Sequence, residues 1–383
     1  MIVTFLSNFM NHHQIGLCDE LYRLFGKKHF YFIEEEPLPL EKKELGYSNY
    51  SHSREYIISE FEDLSFAHKL LRKSDFVIVS FSQGSKTIAK FCNPIKTKVF
   101  WYMERLYKDN NPIKTILKFF RAKFYFRSLN GYDQYSLCAS SYGYYDLLKT
   151  NKKRFFDKSF RFGYFPISCS NSYCQKRILN SKISFLFVGR LINWKKPLLL
   201  LDVFRKIYKT NKNFELYIVG DGPLYNIISK RIKKYNLSKN VFLIGSRSFD
   251  EIKEYYRFCN YFIFPSGKEE GWGAVLNEAM SYGCVPIANS KAGSTSWLVE
   301  NKTNGYTFSK KNEMFLIIYK ILNLSFDEYG KNYFSMSKKS QKTIIEKWNY
   351  LNFSKRLFNT ILYLMNLSCD TSLLLEKCNK EGK

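Results

Sequence analysis

Short runs rich in β-branched and aromatic residues alternate with helix-length segments along most of this chain, and that alternation restricts the fold more than any single motif. In the second half, 183–188, 214–219, 241–244, 261–264 and 285–288 are strand-sized and largely apolar. Between them, 197–210, 224–235, 250–258 and 274–282 have helix-like patterns, with apolar residues at three- and four-residue steps in the first of them. Apolar strands separated by helices predict a parallel sheet covered on both faces. The first half repeats the rhythm less regularly, with strands at 2–6, 29–33, 76–81, 98–102 and 135–139 and helical stretches at 17–25 and 84–91. At 383 residues the chain suits two domains. The expected architecture is α/β: two Rossmann-like, doubly wound parallel-sheet domains facing a central cleft. The first domain covers 1–165, a linker 166–181, the second domain 182–347, and a helical segment, 348–383, crosses back to the first domain.

Charge narrows the partners. Sixty Lys and Arg against 34 Asp and Glu give a formal charge of +26, which favours an anionic partner: phosphorylated substrate, acidic membrane surface or nucleic acid. Nothing matches a helix-turn-helix, zinc finger or aromatic RNA-binding strand, so nucleic acid is the remote reading. The nine cysteines contain no C-x-x-C pair, and the five histidines all fall in the first 70 residues without metal-ligand spacing on a helix. Reduced structural thiols and no metal are expected. No stretch reaches the roughly 20 apolar residues that span a bilayer, and no cleavable leader is evident, so the expectation is a cytoplasmic protein that touches membrane only at its surface.

In an open parallel sheet, ligands gather beyond the carboxyl ends of the strands, where the second half places its distinctive residues. Gly189-Arg190-Leu191 follows the first strand, with Lys195 close behind; Gly220-Asp221-Gly222-Pro223 follows the second; Arg247 lies past the third. Pro265-Ser266 leads from the fourth into Glu270-Gly271-Trp272-Gly273-Ala274, and Glu278 completes an E-x7-E spacing. Arg190 and Lys195 offer two positive charges to a diphosphate, Arg as a fork and Lys as a point charge. Gly271, Gly273 and Ala274 open a helix whose free N–H groups favour an anion. A carboxylate beside a diphosphate is suited to binding hydroxyls, which places Glu270 near a sugar and Glu278 near a ribose. A pair of helix-start and helix-surface carboxylates would give the same spacing without a ligand.

Those motifs resemble a known family. V-G-R-L-x3-K, I-V-G-D-G-P, F-P-S-x3-E-G-W-G-x3-N-E-A-M and the later N-G-Y look like the donor half of retaining family-4 glycosyltransferases of the GT-B fold and polysaccharide-assembly type, over 184–308. The resemblance implies a nucleotide-sugar donor and a glycan or polyprenyl-diphosphate-linked acceptor. It also implies hexosyl transfer with retention and no metal; the chain contains no D-x-D. Positions matching Arg190 and Lys195 hold the donor diphosphate in that family, Glu270 the transferred sugar and Glu278 the ribose. At Gly293-Ser294 to Trp297 the chain departs from the family's paired glycines followed by glutamate. A nucleotide-sugar epimerase or a disaccharide phosphorylase on the same fold is the alternative.

The first half offers the acceptor candidates. Asn8, His12 and His13 follow its first strand, where either histidine can orient or deprotonate a hydroxyl; packing against the next helix is the other reading. Glu104 and Arg105 follow the strand at 98–102, as cleft residues or as a structural ion pair. In 113–127, Ile113, Ile116, Leu117, Phe120 and Phe124 recur at helical steps while Lys114, Lys118 and Arg121 fall on another face. That pattern fits an interfacial helix on anionic membrane or a core helix with a basic rim.

Overall fold

The computed structural model describes all residues except 41–42, 44–47, 81–83, 109–110, 167–181 and 379–383. The chain divides into two compact units, Met1–Ile167 with Asn349–Lys383, and Ser168–Trp348. The expected linker, 166–181, lies outside the described residues except for Pro166.

The first unit is built on a seven-stranded sheet in the order β3-β2-β1-β4-β5-β6-β7, every ladder parallel. Its strands are β1 (Val3–Ser7), β2 (Phe30–Glu34), β3 (Ile57–Ser59), β4 (Phe76–Ser80), β5 (Lys98–Met103), β6 (Asp133–Cys138) and β7 (Ser159–Arg161). The central strands β1, β4 and β5 have at least four buried residues each, which is why they read as apolar runs. Helix Ile15–Phe25 begins two residues earlier than its apolar pattern. The C-terminal helix Tyr350–Leu364 packs on it, with the Ser354 hydroxyl donating to Leu17 O at 3.2 Å and the Phe25 and Phe358 rings 4.7 Å apart. Beyond that helix the backbone pairs with β7, Arg161 N–H donating to Glu376 O and Cys378 N–H to Ser159 O at 2.8 and 2.9 Å. That pairing covers an otherwise open sheet edge.

The second unit carries a six-stranded parallel sheet in the order β10-β9-β8-β11-β12-β13. Its strands are β8 (Ile183–Val188), β9 (Phe214–Val219), β10 (Val241–Gly245), β11 (Tyr261–Phe264), β12 (Val285–Asn289) and β13 (Tyr306–Phe308). Helices Pro197–Tyr208, Tyr225–Lys234, Phe249–Phe258 and Val275–Ser281 fall where the periodicity predicts them, one or two residues different at their ends. Phe185, Phe204, Phe214, Ile218, Ile263 and Ile287 lie in one continuous buried core. Both sheets reverse their strand order once, between β1 and β4 in the first unit and between β8 and β11 in the second. Crevices for ligands form at such points, beyond the strands' carboxyl ends.

Three strands escape the sequence reading: β3, β7 and β13, of three residues each. Segments that short carry no measurable periodicity.

Candidate active site

In the second unit, the loops after β8 and β9 lie backbone to backbone. Gly189 N–H donates to Val219 O at 3.0 Å, Leu191 N–H to Asp221 O at 2.8 Å, and Leu224 N–H to Leu191 O at 3.0 Å. Gly220 permits the approach: its φ is +136°, and a Cβ there would lie 2.1 Å from Gly189 O. Asp221 Oδ1 accepts from Gly222 N–H at 2.6 Å. Gly220 and Asp221 thus brace the turn that carries Arg190, which is itself exposed.

Lys195 ends the one-turn helix Asn193–Lys195. Its ammonium pairs with the Glu270 carboxylate, both side chains largely buried at 14% and 9% exposure, and it stands 4.5 Å from the centre of the Trp194 ring. Because β8 and β11 are neighbours where the order reverses, this pair bridges the crevice of the second unit. The Glu270 loop is fixed from the other side by the loop after β12. Gly293 N–H donates to Glu270 O at 3.2 Å and Ser294 N–H to Trp272 O at 3.1 Å. A Cβ on Gly293 would lie 1.7 Å from Gly271 O. The segment that departs from the family pattern is therefore laced to Glu270 through its backbone.

Helix Val275–Ser281 starts one residue later than expected, with Ala274 as its cap. Glu278 is buried on it and accepts from the Tyr256 hydroxyl at 2.9 Å. Burial pushes the Glu278 carboxyl up to about 7, the Tyr256 hydrogen bond offsetting part of that rise. Tyr256 is a site residue the sequence reading missed, since a helix tyrosine among several carries no mark of its role. The Trp272 indole is buried, and its N–H donates to Asn277 Oδ1 at 2.8 Å. That bond ties the loop to the helix that follows it. Arg247 is exposed at the end of the edge strand β10, where it donates to Ser246 O at 2.8 Å and lies 3.6 Å from Glu251.

In the first unit, a cavity of about 540 Å³ lies at the ends of β1, β4 and β5, the crevice where that sheet reverses. Asn8, Glu104 and Arg105 line it together, as the sequence positions imply. Glu104 pairs with Lys108, while Arg105 lies over the Tyr142 ring at 4.5 Å and 3.9 Å from Asp146. Lys118, Arg121 and Tyr125 of helix Pro112–Ser128, with Tyr164, complete the wall. The separate basic face of that helix was the signal for Lys118 and Arg121; Tyr125 and Tyr164 carried none. The His12 and His13 rings are 3.8 Å apart, and His13 lies 6.0 Å from the Tyr164 ring, beside the cavity wall. Burial holds both imidazoles below the ordinary histidine range, His13 furthest, with His12 adding to its shift. Neutral rings suit hydrogen-bond exchange with a hydroxyl better than binding of an anion.

Residues 174–342 match the family of glycosyl transferases group 1. An uncharacterised glycosyltransferase of Methanocaldococcus jannaschii is 33% identical over 127 residues, 33% of this chain and 34% of the relative. Lipopolysaccharide 1,2-N-acetylglucosaminetransferase of Salmonella typhimurium is 25% identical over 193 residues, 48% of this chain and 49% of the relative. The chain thus spans a third to a half of the length of these curated relatives. Anabaena HepE, solved in complex with UDP, superposes with a TM-score of 0.67 at 14% identity, covering 96% of this chain and all of that one. The fold, two Rossmann-like parallel-sheet domains, is that of the GT-B glycosyltransferases.

Proposed function

We propose that this chain is a retaining hexosyltransferase that moves a sugar from a UDP-linked donor to a hydroxyl of a glycan or polyprenyl-diphosphate-linked acceptor, in bacterial surface-polysaccharide assembly in the cytoplasm. The observation that carries this reading is the Lys195–Glu270 ion pair across the switch point of the second unit, with Arg190 on the same loop as Lys195. An arriving diphosphate competes with Glu270 for the Lys195 ammonium. Glu270, released, is a hydrogen-bond acceptor for a hydroxyl of the transferred sugar. As the glycosidic bond breaks, charge grows on the leaving diphosphate, and Arg190 and Lys195 stabilise it. Two fixed cations supply the counter-charge that a divalent ion gives in other transferases, so the reaction is proposed to need no metal. Glu278 accepts from the ribose hydroxyls. In the first unit, the neutral His12 or His13 orients or deprotonates the acceptor hydroxyl.

The match to glycosyl transferases group 1 over 174–342 supports the donor chemistry, the Salmonella relative supports the polysaccharide setting, and UDP in HepE supports the nucleotide. Retention rests on the family resemblance of the motifs. The test is a thermal-shift series against UDP, GDP, ADP and their sugar conjugates without added metal, followed by turnover of the nucleotide sugar that shifts most. A rise with UDP that Glu278→Ala abolishes is expected. Folded protein that no nucleotide shifts would overturn the reading.

A further inference from the structure

Helix Pro112–Ser128 is firmly started, with the Asn111 side chain accepting from Ile113 N–H and Lys114 N–H and Pro112 in the first turn. Its inner side is buried through Ala122, Tyr125 and Phe126. A core helix would bury its remaining apolar residues as well. Instead Ile113, Ile116, Leu117, Phe120 and Phe124 are between 56% and 67% exposed. Their spacing of three and four residues aligns them in one stripe on the side opposite Ala122 and Phe126. At 100° per residue, Lys114 and Arg121 flank that stripe on one side and Lys123 on the other, with Arg127 in line with it at the end of the helix. An apolar stripe of this length with basic residues on both flanks and at its end, on a chain of formal charge +26, matches a bilayer surface: side chains enter the acyl boundary while long cations reach headgroup phosphates. Among the described residues no helix is long and apolar enough to cross a membrane.

We propose that helix Pro112–Ser128 docks this protein on an anionic lipid bilayer. The same helix lends Lys118, Arg121 and Tyr125 to the wall of the first-unit cavity. Docking therefore brings that cavity to the headgroup layer, where a lipid-linked acceptor resides; this last consequence alone rests on the function proposed above.

The test is co-sedimentation of the full chain with vesicles of phosphatidylcholine alone and with about a third phosphatidylglycerol, at low and high salt. Binding to the anionic vesicles, weaker on the neutral ones and falling with salt, is expected. Leu117→Ser/Phe120→Ser should lower the partition coefficient roughly a hundredfold, from the loss of two inserted apolar side chains. Its melting temperature and its shift with UDP should stay at wild-type values. Undiminished binding of that variant, equal binding to neutral vesicles, or no binding to either would overturn the proposal. If the variant fails to fold, the wild-type salt and lipid series decides by itself. A lost UDP shift in wild-type protein would instead count against the donor reading and leave the docking result intact.

Discussion

Replacing Glu278 with glutamine should make the protein more stable at neutral pH while harming its proposed function. The Glu278 carboxyl lies at about 7 against an ordinary 4.5. At about 1.4 kcal/mol per pH unit, that rise corresponds to about 3 kcal/mol between the two protonation states. The folded-state value is raised, so the fold favours the protonated form. Below about pH 4.5 both folded and unfolded chains hold the proton, and the group costs nothing. From there to about pH 7 the unfolded chain ionises while the folded one resists, and stability declines by about 3 kcal/mol; above that the loss is constant. Glutamine does not titrate, and its amide oxygen still accepts from Tyr256. The melting temperature of Glu278→Gln relative to wild type should therefore climb by roughly 6–12 °C between pH 4.5 and 7, given 2–4 °C per kcal/mol for a domain of this size, and then level off. Differential scanning calorimetry without nucleotide at closely spaced pH values measures this directly. Titrating groups that do not interact with Glu278 are common to both proteins and cancel. A difference that is flat across the range, or that grows towards acid, would refute the assignment of a carboxyl whose proton is held by burial.

The crevice and its supports yield further expectations. Arg190→Ala or Lys195→Ala should slow sugar transfer about 30- to 1,000-fold, the loss of roughly 2–4 kcal/mol of charge stabilisation; unchanged turnover in both would remove the site. Lys195→Met strands a buried Glu270 carboxylate and should destabilise the free protein by about 3 kcal/mol, with Lys195→Met/Glu270→Gln recovering most of it in denaturant titrations. Gly293→Ala forces a methyl against Gly271 O and should cost roughly 1–3 kcal/mol, together with donor affinity. Asn277→Ala leaves the Trp272 indole N–H buried without its acceptor, and a drop of about 1–3 kcal/mol is expected, visible as an earlier urea midpoint.

Much of this was legible because buried parallel strands announce themselves. Ile183–Val188 and Phe76–Ser80 are apolar at almost every position, and the loops that follow such strands are the only places their polar residues can gather. That rule singled out Arg190, Lys195 and Glu270 as candidates, and the family resemblance of the motifs points to the same three. What stayed hidden depends on pairings between distant residues. No local pattern says that Tyr256 will reach Glu278, that the Trp272 indole will turn inward to Asn277, or that Gly293 will rest on Gly271. Helix Pro112–Ser128 is the instructive case: periodicity located both of its faces but could not say which one the protein covers. Only the exposure of Phe120 and its neighbours decides that.

The first unit is assembled from two stretches of chain separated by the whole of the second. On the ribosome, the residues of 168–348 emerge before helix Tyr350–Leu364 exists to cover helix Ile15–Phe25 and before the strand edge at β7 is closed. The inserted unit has every one of its strands available early and can reach its native state during synthesis, whereas its host must wait with an apolar helix face and a bare sheet edge. Nascent chains arrested with residues up to about 348 outside the exit tunnel and the rest still within it should accordingly show a protease-resistant second unit beside a first unit still open to cleavage and chaperone capture.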